Sequence, residues 1–222
     1  MMYLDNQKYI YLVFSSTPFK TGRFIRRMTG EQYNHIAISL DPSLTTLYSF
    51  ARHYLDTPFY GGFIKENALR YIYNDECSQI KVYAVPVSDA QLKNIARRLF
   101  VMNINAAAYR YNLISALFTP FHIKVAIENA FTCIEFVVKL LGNCGIGGVN
   151  AACFYKFSDL QNLFEDYAVY EGPYLGNGNE SLDDIGEYFE KRNIAVRTGL
   201  TVWSNTALFF RLVKSRLIHR YY

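Results

Sequence analysis

Residues 130–142 have the sequence AFTCIEFVVKLLG, an apolar segment that predicts a short helix with a cysteine in its first turn. Thr132 is placed to cap the helix, Glu135 is a favourable charge near its start, and Gly142 is placed to end it. Backbone N–H groups at a helix start favour a thiolate, so Cys133 is a candidate nucleophile. The alternative is an inert cysteine buried on an apolar helix, and the segment alone favours that alternative.

The composition is typical of a folded chain with an ample core. Of its 222 residues, 51% are hydrophobic, and tyrosine and phenylalanine number 19 and 17. This apolar content argues against disorder. The net charge of +4 is mild, so it permits an acidic partner but does not require nucleic acid, and we expect no nucleic-acid partner.

The four cysteines and four histidines are scattered along the chain. None of them has zinc-ligand spacing and there is no C-x-x-C pair, so we expect neither a metal nor another cofactor. The N-terminus lacks the features of a signal peptide, and no segment is long and apolar enough to span a bilayer. We therefore expect a reducing, cytoplasmic setting with free thiols.

Local patterns predict both strands and helices. Residues 61–66 look like a loop that enters a strand. Strands rich in β-branched and aromatic residues are predicted at 9–14, 33–40, 47–52 and 81–87. Pro86 indicates that the last of these lies at an edge or ends there. Helices are predicted after Pro18, which opens a basic segment, after Ser88 with Gln91 in a capping box, and before Leu117.

The second predicted strand carries a histidine near its start. Alternate residues of a strand share a face, which places His35, Ala37 and Ser39 on one face and Ile36, Ile38 and Leu40 on the other. The isoleucine face is core, so His35 lies on the less apolar face. At the start of a rigid strand, a histidine is well placed to act as a general base. The alternative is that His35 is only a surface or capping residue. Ser49 on the next strand is a candidate to orient the imidazole, with a plain half-buried serine as the alternative.

Five motifs, taken in order, resemble a known family. They are YNHIAI at 33–38, LYSFAR at 47–52, GGFIKE at 61–66, YN at 111–112 and FTCIEFV at 131–137. This order is similar to that of the circularly permuted NlpC-type papain-like proteins, in particular the bacterial YiiX/YycO-like branch, a cousin of the lecithin retinol acyltransferase-like enzymes. In the permuted branch the histidine precedes the cysteine, as it does here. The resemblance extends over about residues 8–165.

The resemblance implies an α+β, permuted papain-like fold in which an antiparallel sheet packs against the helix that carries the cysteine. It implies Cys133 as nucleophile, His35 as general base, and a third polar residue on the following strand, which points to Ser49. A serine orients an imidazole only weakly. The substrate-binding candidates in these motifs are Tyr33, Glu66 and Tyr111. The plain alternative for Glu66 is an ordinary exposed glutamate, and that for Tyr111 is core packing.

We therefore expect a cysteine amidase or peptidase that forms an acyl-enzyme on Cys133 and cleaves amide bonds, particularly in small cell-wall-type peptides. One alternative is a lipid thioesterase or acyltransferase at a membrane, indicated by the acyltransferase-like cousins and by the basic C-terminal segment. The other is a non-catalytic binding module that keeps the fold, indicated by the weak third residue. The sequence predicts no oligomeric state.

The character of the chain changes after residue 158, where an acidic segment at 165–190 is followed by a basic and apolar one after residue 201. We expect residues 1–166 to form the catalytic domain and residues 167–222 to form an extension. The basic segment predicts an amphipathic helix. We expect it to pack on its own domain, with peripheral membrane contact as the alternative.

Overall fold

The frame of the molecule is a six-stranded antiparallel sheet with helices packed on it. A computed structural model describes residues 7–73, 76–176 and 186–218. Its strands are β1 (Lys8–Ser16), β2 (His35–Ser39), β3 (Leu47–Arg52), β4 (Gly61–Glu66), β5 (Ile72–Tyr73), β6 (Glu76–Cys77), β7 (Gln79–Val87), β8 (Arg110–Tyr111), β9 (Ala130–Phe131) and β10 (Ala168–Pro173). Its helices are α1 (Lys20–Thr29), α2 (Asp89–Ile104), α3 (Leu113–Phe118), α4 (Cys133–Asn143), α5 (Phe157–Phe164), α6 (Gly186–Phe189) and α7 (Ile194–Ile218). The expected α+β class is confirmed.

The sheet has the strand order β10-β7-β1-β2-β3-β4, and every pairing within it is antiparallel. β1 lies inside the sheet, and its apolar residues are buried on both faces. Pro86 fits in β7 because β10 pairs only with residues 79–83 of that strand, which leaves the proline on an open edge.

The two faces of the sheet carry cores of different size. The larger core contains Ile36 and Ile38 from β2 and is covered by α2, α4 and α5. The smaller core contains Ala37 and, from the next strand, Leu47. The predicted alternation along β2 is therefore confirmed, although both of its faces are buried.

The start of α4 is held by a complete capping box. The Glu135 N–H donates to the Thr132 hydroxyl at 3.2 Å, and the Thr132 N–H donates to the Glu135 carboxylate at 2.8 Å. The Ser115 hydroxyl of α3 donates to the same carboxylate. These bonds fix the first turn of α4, and with it Cys133, relative to α3.

The helix continues one residue past Gly142, which the sequence predicted as its end. A Cβ at this position would lie 2.6 Å from the Ala151 backbone nitrogen and 2.8 Å from the Ala151 Cβ. Gly142 is therefore required by the close approach of the following loop, whereas the helix itself ends at Asn143.

The C-terminal residues pack on the same sheet and core. The expected boundary at residue 166 falls just before β10, which completes the sheet edge. The basic helix begins at Ile194, earlier than the expected start after residue 201. Its Leu208 is buried against Val125 and Ile127. Among the described helices, none combines the length and the apolar character needed to cross a bilayer.

Candidate active site

The structure brings His35 and Cys133 together at one end of the sheet. His35 is the first residue of β2, and Cys133 is the first residue of α4. The His35 Nε2 atom lies 2.9 Å from the Glu66 Oε1 atom, and the Cys133 side chain is close enough to the ring to raise the pKa of His35. The carboxylate, the imidazole and the thiol therefore lie next to one another.

The ring partner of His35 is Glu66 on β4, whereas the sequence pointed to Ser49 on β3. The register of β3 and β4 places Glu66 opposite Leu47, on the face that Ser49 shares. The Ser49 hydroxyl completes no hydrogen bond of its own, but it lies close enough to the Glu66 carboxylate to lower the pKa of Glu66. Serine is too short to reach the ring, so the longer glutamate side chain makes the contact from one strand further away.

The electrostatics of the pair favour the charged form of both partners. Burial by itself lowers the pKa of His35, but the Glu66 charge and the hydrogen bonds to Cys133 and Glu66 outweigh it and raise the pKa above its usual value. Burial likewise raises the pKa of Glu66, but the His35 charge, assisted by Arg70, lowers it on balance. The site therefore holds a buried imidazolium–carboxylate pair at neutral pH.

A cavity of about 590 Å³ reaches these three side chains. Its floor carries Cys133, His35 and Glu66, and its walls are mostly apolar, with contributions from Phe24, Ile25 and Met28 of α1, Phe59, and Leu113 and Leu117 of α3. Phe24 is 63% exposed and Leu117 is 64% exposed. Because such exposed residues line the cavity, it is open to solvent and a substrate can reach the thiol.

The two candidate tyrosines occupy different places. Tyr111 lines the cavity, and burial together with the neighbouring Cys133 and Glu135 raises its pKa, so the phenol stays protonated. Tyr33 lines no part of the cavity: it is fully buried, its hydroxyl donates to Glu171 at 3.1 Å, and its ring packs edge-on to Phe14. Tyr33 precedes the start of β2 at His35 and lies in the larger core, so the structure places it away from the cavity that was expected to bind substrate.

Three further residues shape the site and were not among the candidates predicted from the sequence. Asn34 accepts hydrogen bonds from the Thr17 N–H and from the Arg26 guanidinium, which ties the segment before α1 and the last turn of α1 to the residue before His35. Tyr71 stands edge-on to the His35 ring with centroids 6.4 Å apart, and Arg70 adds a positive charge beside Glu66. Only Asn34, adjacent to the histidine, had a signal in the sequence.

Comparisons with known protein families, with curated proteins and with solved structures find no match. Among the described residues, no three His, Cys, Asp or Glu side chains are grouped as a metal site would need. The cysteines of this part of the chain are all free thiols: Cys133 and Cys144 are buried, and Cys153 is exposed.

Proposed function

We propose that this protein is a cysteine hydrolase in which Cys133 is the nucleophile, His35 the general base and Glu66 the residue that orients the base. The observation that carries the proposal is the Glu66 carboxylate bonded to the His35 ring, with Cys133 beside that ring and all three residues lining one open cavity. A carboxylate bonded to Nε2 fixes the orientation of the ring beside the sulfur. The order of His35 before Cys133 in the chain also agrees with a permuted papain-like arrangement.

The chemistry is acyl transfer in two steps. The Cys133 sulfur attacks as the thiolate whose proton His35 already holds, so it bonds to the carbonyl carbon and the carbonyl electron pair moves onto oxygen. Free backbone N–H groups at the start of α4 stabilise this oxyanion, and the neutral Tyr111 hydroxyl is a further donor beside it. His35 then protonates the leaving group as its bond to carbon breaks. Water attacks the thioester, gives a proton to His35, and releases the acid and the enzyme.

An amide in a small peptide is the first candidate substrate, as the family resemblance implies. The walls of the cavity favour a second candidate, an ester or thioester of an aliphatic acid, because Phe24, Met28 and Leu117 offer mainly apolar contact. A series of acyl esters of rising chain length, compared with small peptide amides, separates the two. A kcat/KM that rises with chain length favours the lipid substrate, and amine release from peptides favours the amidase.

Alkylation by iodoacetamide tests the nucleophile directly. We expect Cys133 to react faster at neutral pH than the exposed Cys153, although Cys133 is only 5% exposed, because the charged His35 ring beside it stabilises the attacking sulfur. Mutation of His35 to Ala should slow labelling of Cys133 and leave labelling of Cys153 unchanged, and Cys133→Ala should abolish hydrolysis. Equal labelling of both cysteines, insensitive to His35→Ala, would support a non-catalytic binding module instead.

A further inference from the structure

Helix α1 exposes most of its apolar side chains. Gly22 is its one buried residue, whereas Phe24 and Met28 are 63% and 53% exposed. Gly22 and Arg26 form the inner side of the helix, since Gly22 packs against Thr17 and Arg26 bonds to Thr17 and Asn34. An amphipathic helix normally turns its apolar face to the core, but here that face borders the mouth of the cavity.

A second part of the rim of the mouth has the same character. Leu117 at the end of α3 is 64% exposed, and Phe121, at the end of the following turn, is 70% exposed. Phe59 is 52% exposed and also lines the cavity. The turn at residues 119–121 contacts α1, so large apolar side chains project to solvent next to one another at this opening, and contiguous apolar surface of this kind marks an interaction site.

The charges of α1 indicate which partner fits this rim. Lys20, Arg23, Arg26 and Arg27 lie on the helix, which has no acidic residue. In the described part of the chain, Arg23 and Arg27 make no ion pair. Residues four apart share a helix face, so Arg23 and Arg27 form a row beside the row of Phe24 and Met28.

We propose that the mouth of the cavity docks on an anionic membrane surface through α1 and the rim at residues 117–121. Apolar side chains flanked by cations are the combination that binds a lipid interface, with the apolar groups among the acyl chains and the cations at the phosphates. In this orientation the cavity opens into the bilayer, so a lipid acyl group can pass to Cys133 without crossing water. The docking does not depend on the chemistry of Cys133.

Vesicle flotation of the full chain tests the apolar part of the rim. The wild type should float with vesicles of phosphatidylcholine containing about a third phosphatidylserine, and far less with phosphatidylcholine alone. Mutation of Phe24 to Asp, or of Leu117 to Asp in the second part of the rim, should weaken binding about tenfold or more. Phe100→Asp is the matched control, since Phe100 on α2 is 65% exposed and does not line the cavity, and it should bind as the wild type does.

A charge reversal tests the basic row. The double variant Arg23→Glu and Arg27→Glu should lose the preference for anionic vesicles, whereas Arg97→Glu, at an exposed arginine of α2, should keep it. Unchanged thermal unfolding midpoints will show that these surface variants fold. Cys133→Ala should bind as tightly as the wild type.

Three results would overturn the docking proposal. They are a wild type that floats with neither vesicle, a Phe100→Asp variant that loses as much binding as Phe24→Asp, and self-association that Phe24→Asp removes in a protein that binds no vesicles. The last result would assign the rim to contact between copies of the chain. None of these three results would change the expected alkylation of Cys133. The docking proposal and the hydrolase proposal are therefore tested independently.

Discussion

The Glu66 carboxylate is the charge that most raises the pKa of His35. Glu66 is 4% exposed and His35 is 9% exposed, so neither charge is well solvated. A buried charge is tolerated when its partner is close, and removal of one partner leaves the other without compensation. Glu66 therefore governs the orientation of the ring and also its protonation.

Mutation of Glu66 to Gln is expected to lower kcat about a hundredfold or more, because the amide keeps the volume but no longer holds the imidazole in the charged, oriented form. Ser49→Ala is the matched control on the neighbouring strand and should change kcat by less than about threefold, since its hydroxyl does not touch the ring. Steady-state kinetics on the best substrate of the acyl or peptide series measures both. Equal losses in the two variants would show that Ser49, as first expected, shares the role.

The same pair makes stability depend on pH. The pKa of His35 is raised from 6.5 to about 10 in the folded protein, so its contribution is complete below about pH 6.5 and is lost as the pH rises toward 10. The pKa of Glu66 is lowered from 4.5, so its contribution is complete above about pH 4.5 and is lost in acid.

Chemical denaturation of the wild type and of Glu66→Gln at several pH values measures this effect. The stability advantage of the wild type should be largest between about pH 4.5 and 6.5, where it is about 2 kcal/mol, and should shrink by pH 10. A difference that is constant from pH 5 to 10 would mean that the ring is not charged in the folded state.

At the level of the elements, the first turn of α4 sets the position of the sulfur. Its capping box is local in sequence, but the Ser115 bond to Glu135 ties it to α3. Helix α2 begins with a capping box of the same kind at Ser88 and Gln91. The chain therefore offers an internal comparison between a cap that positions a candidate nucleophile and one that does not.

Mutation of Thr132 to Ala and of Ser88 to Ala should each lower the free energy of unfolding by about 1 kcal/mol, because each removes a cap. Only Thr132→Ala should slow alkylation of Cys133, since that cap fixes the turn holding the thiol. Denaturant unfolding and alkylation rates check the two effects. A Ser88→Ala variant that slows alkylation as strongly would mean that the rate follows global stability.

At the scale of the whole molecule, residues beyond 166 support the site. Tyr174 is buried and its ring meets Tyr71 edge-on at 5.9 Å, and Tyr71 in turn meets His35. Tyr188 lines the cavity, and Arg70 stacks over its ring at 4.1 Å. The expected extension thus contributes contacts that reach the histidine and the cavity wall.

Mutation of Tyr174 to Ala is expected to destabilise the protein by about 3 kcal/mol and to slow alkylation of Cys133, because it removes the support of Tyr71. Tyr170→Ala, on the neighbouring strand β10, is the control: Tyr170 is 42% exposed, so its loss should cost less than about 1 kcal/mol and leave alkylation unchanged. Thermal unfolding and labelling rates check both. Unchanged labelling in Tyr174→Ala would show that the C-terminal residues do not support the ring.

The sequence by itself determined the features that depend on residues close together in the chain. The alternation of β2, the bounds of β3, and the caps at Thr132 and Ser88 follow from local periodicity and local hydrogen bonds. The same patterns singled out Cys133 and His35, one at a helix start and one at a strand start.

Only the tertiary structure decided which residues from distant parts of the chain contact one another. It put Glu66 rather than Ser49 against the imidazole, since side-chain reach across three strands is not encoded in any one of them. It also buried Tyr33 in the core and brought apolar side chains of α1 and α3 together in the lining of one cavity. These outcomes arise from the packing of segments far apart in the chain, which local propensity does not specify.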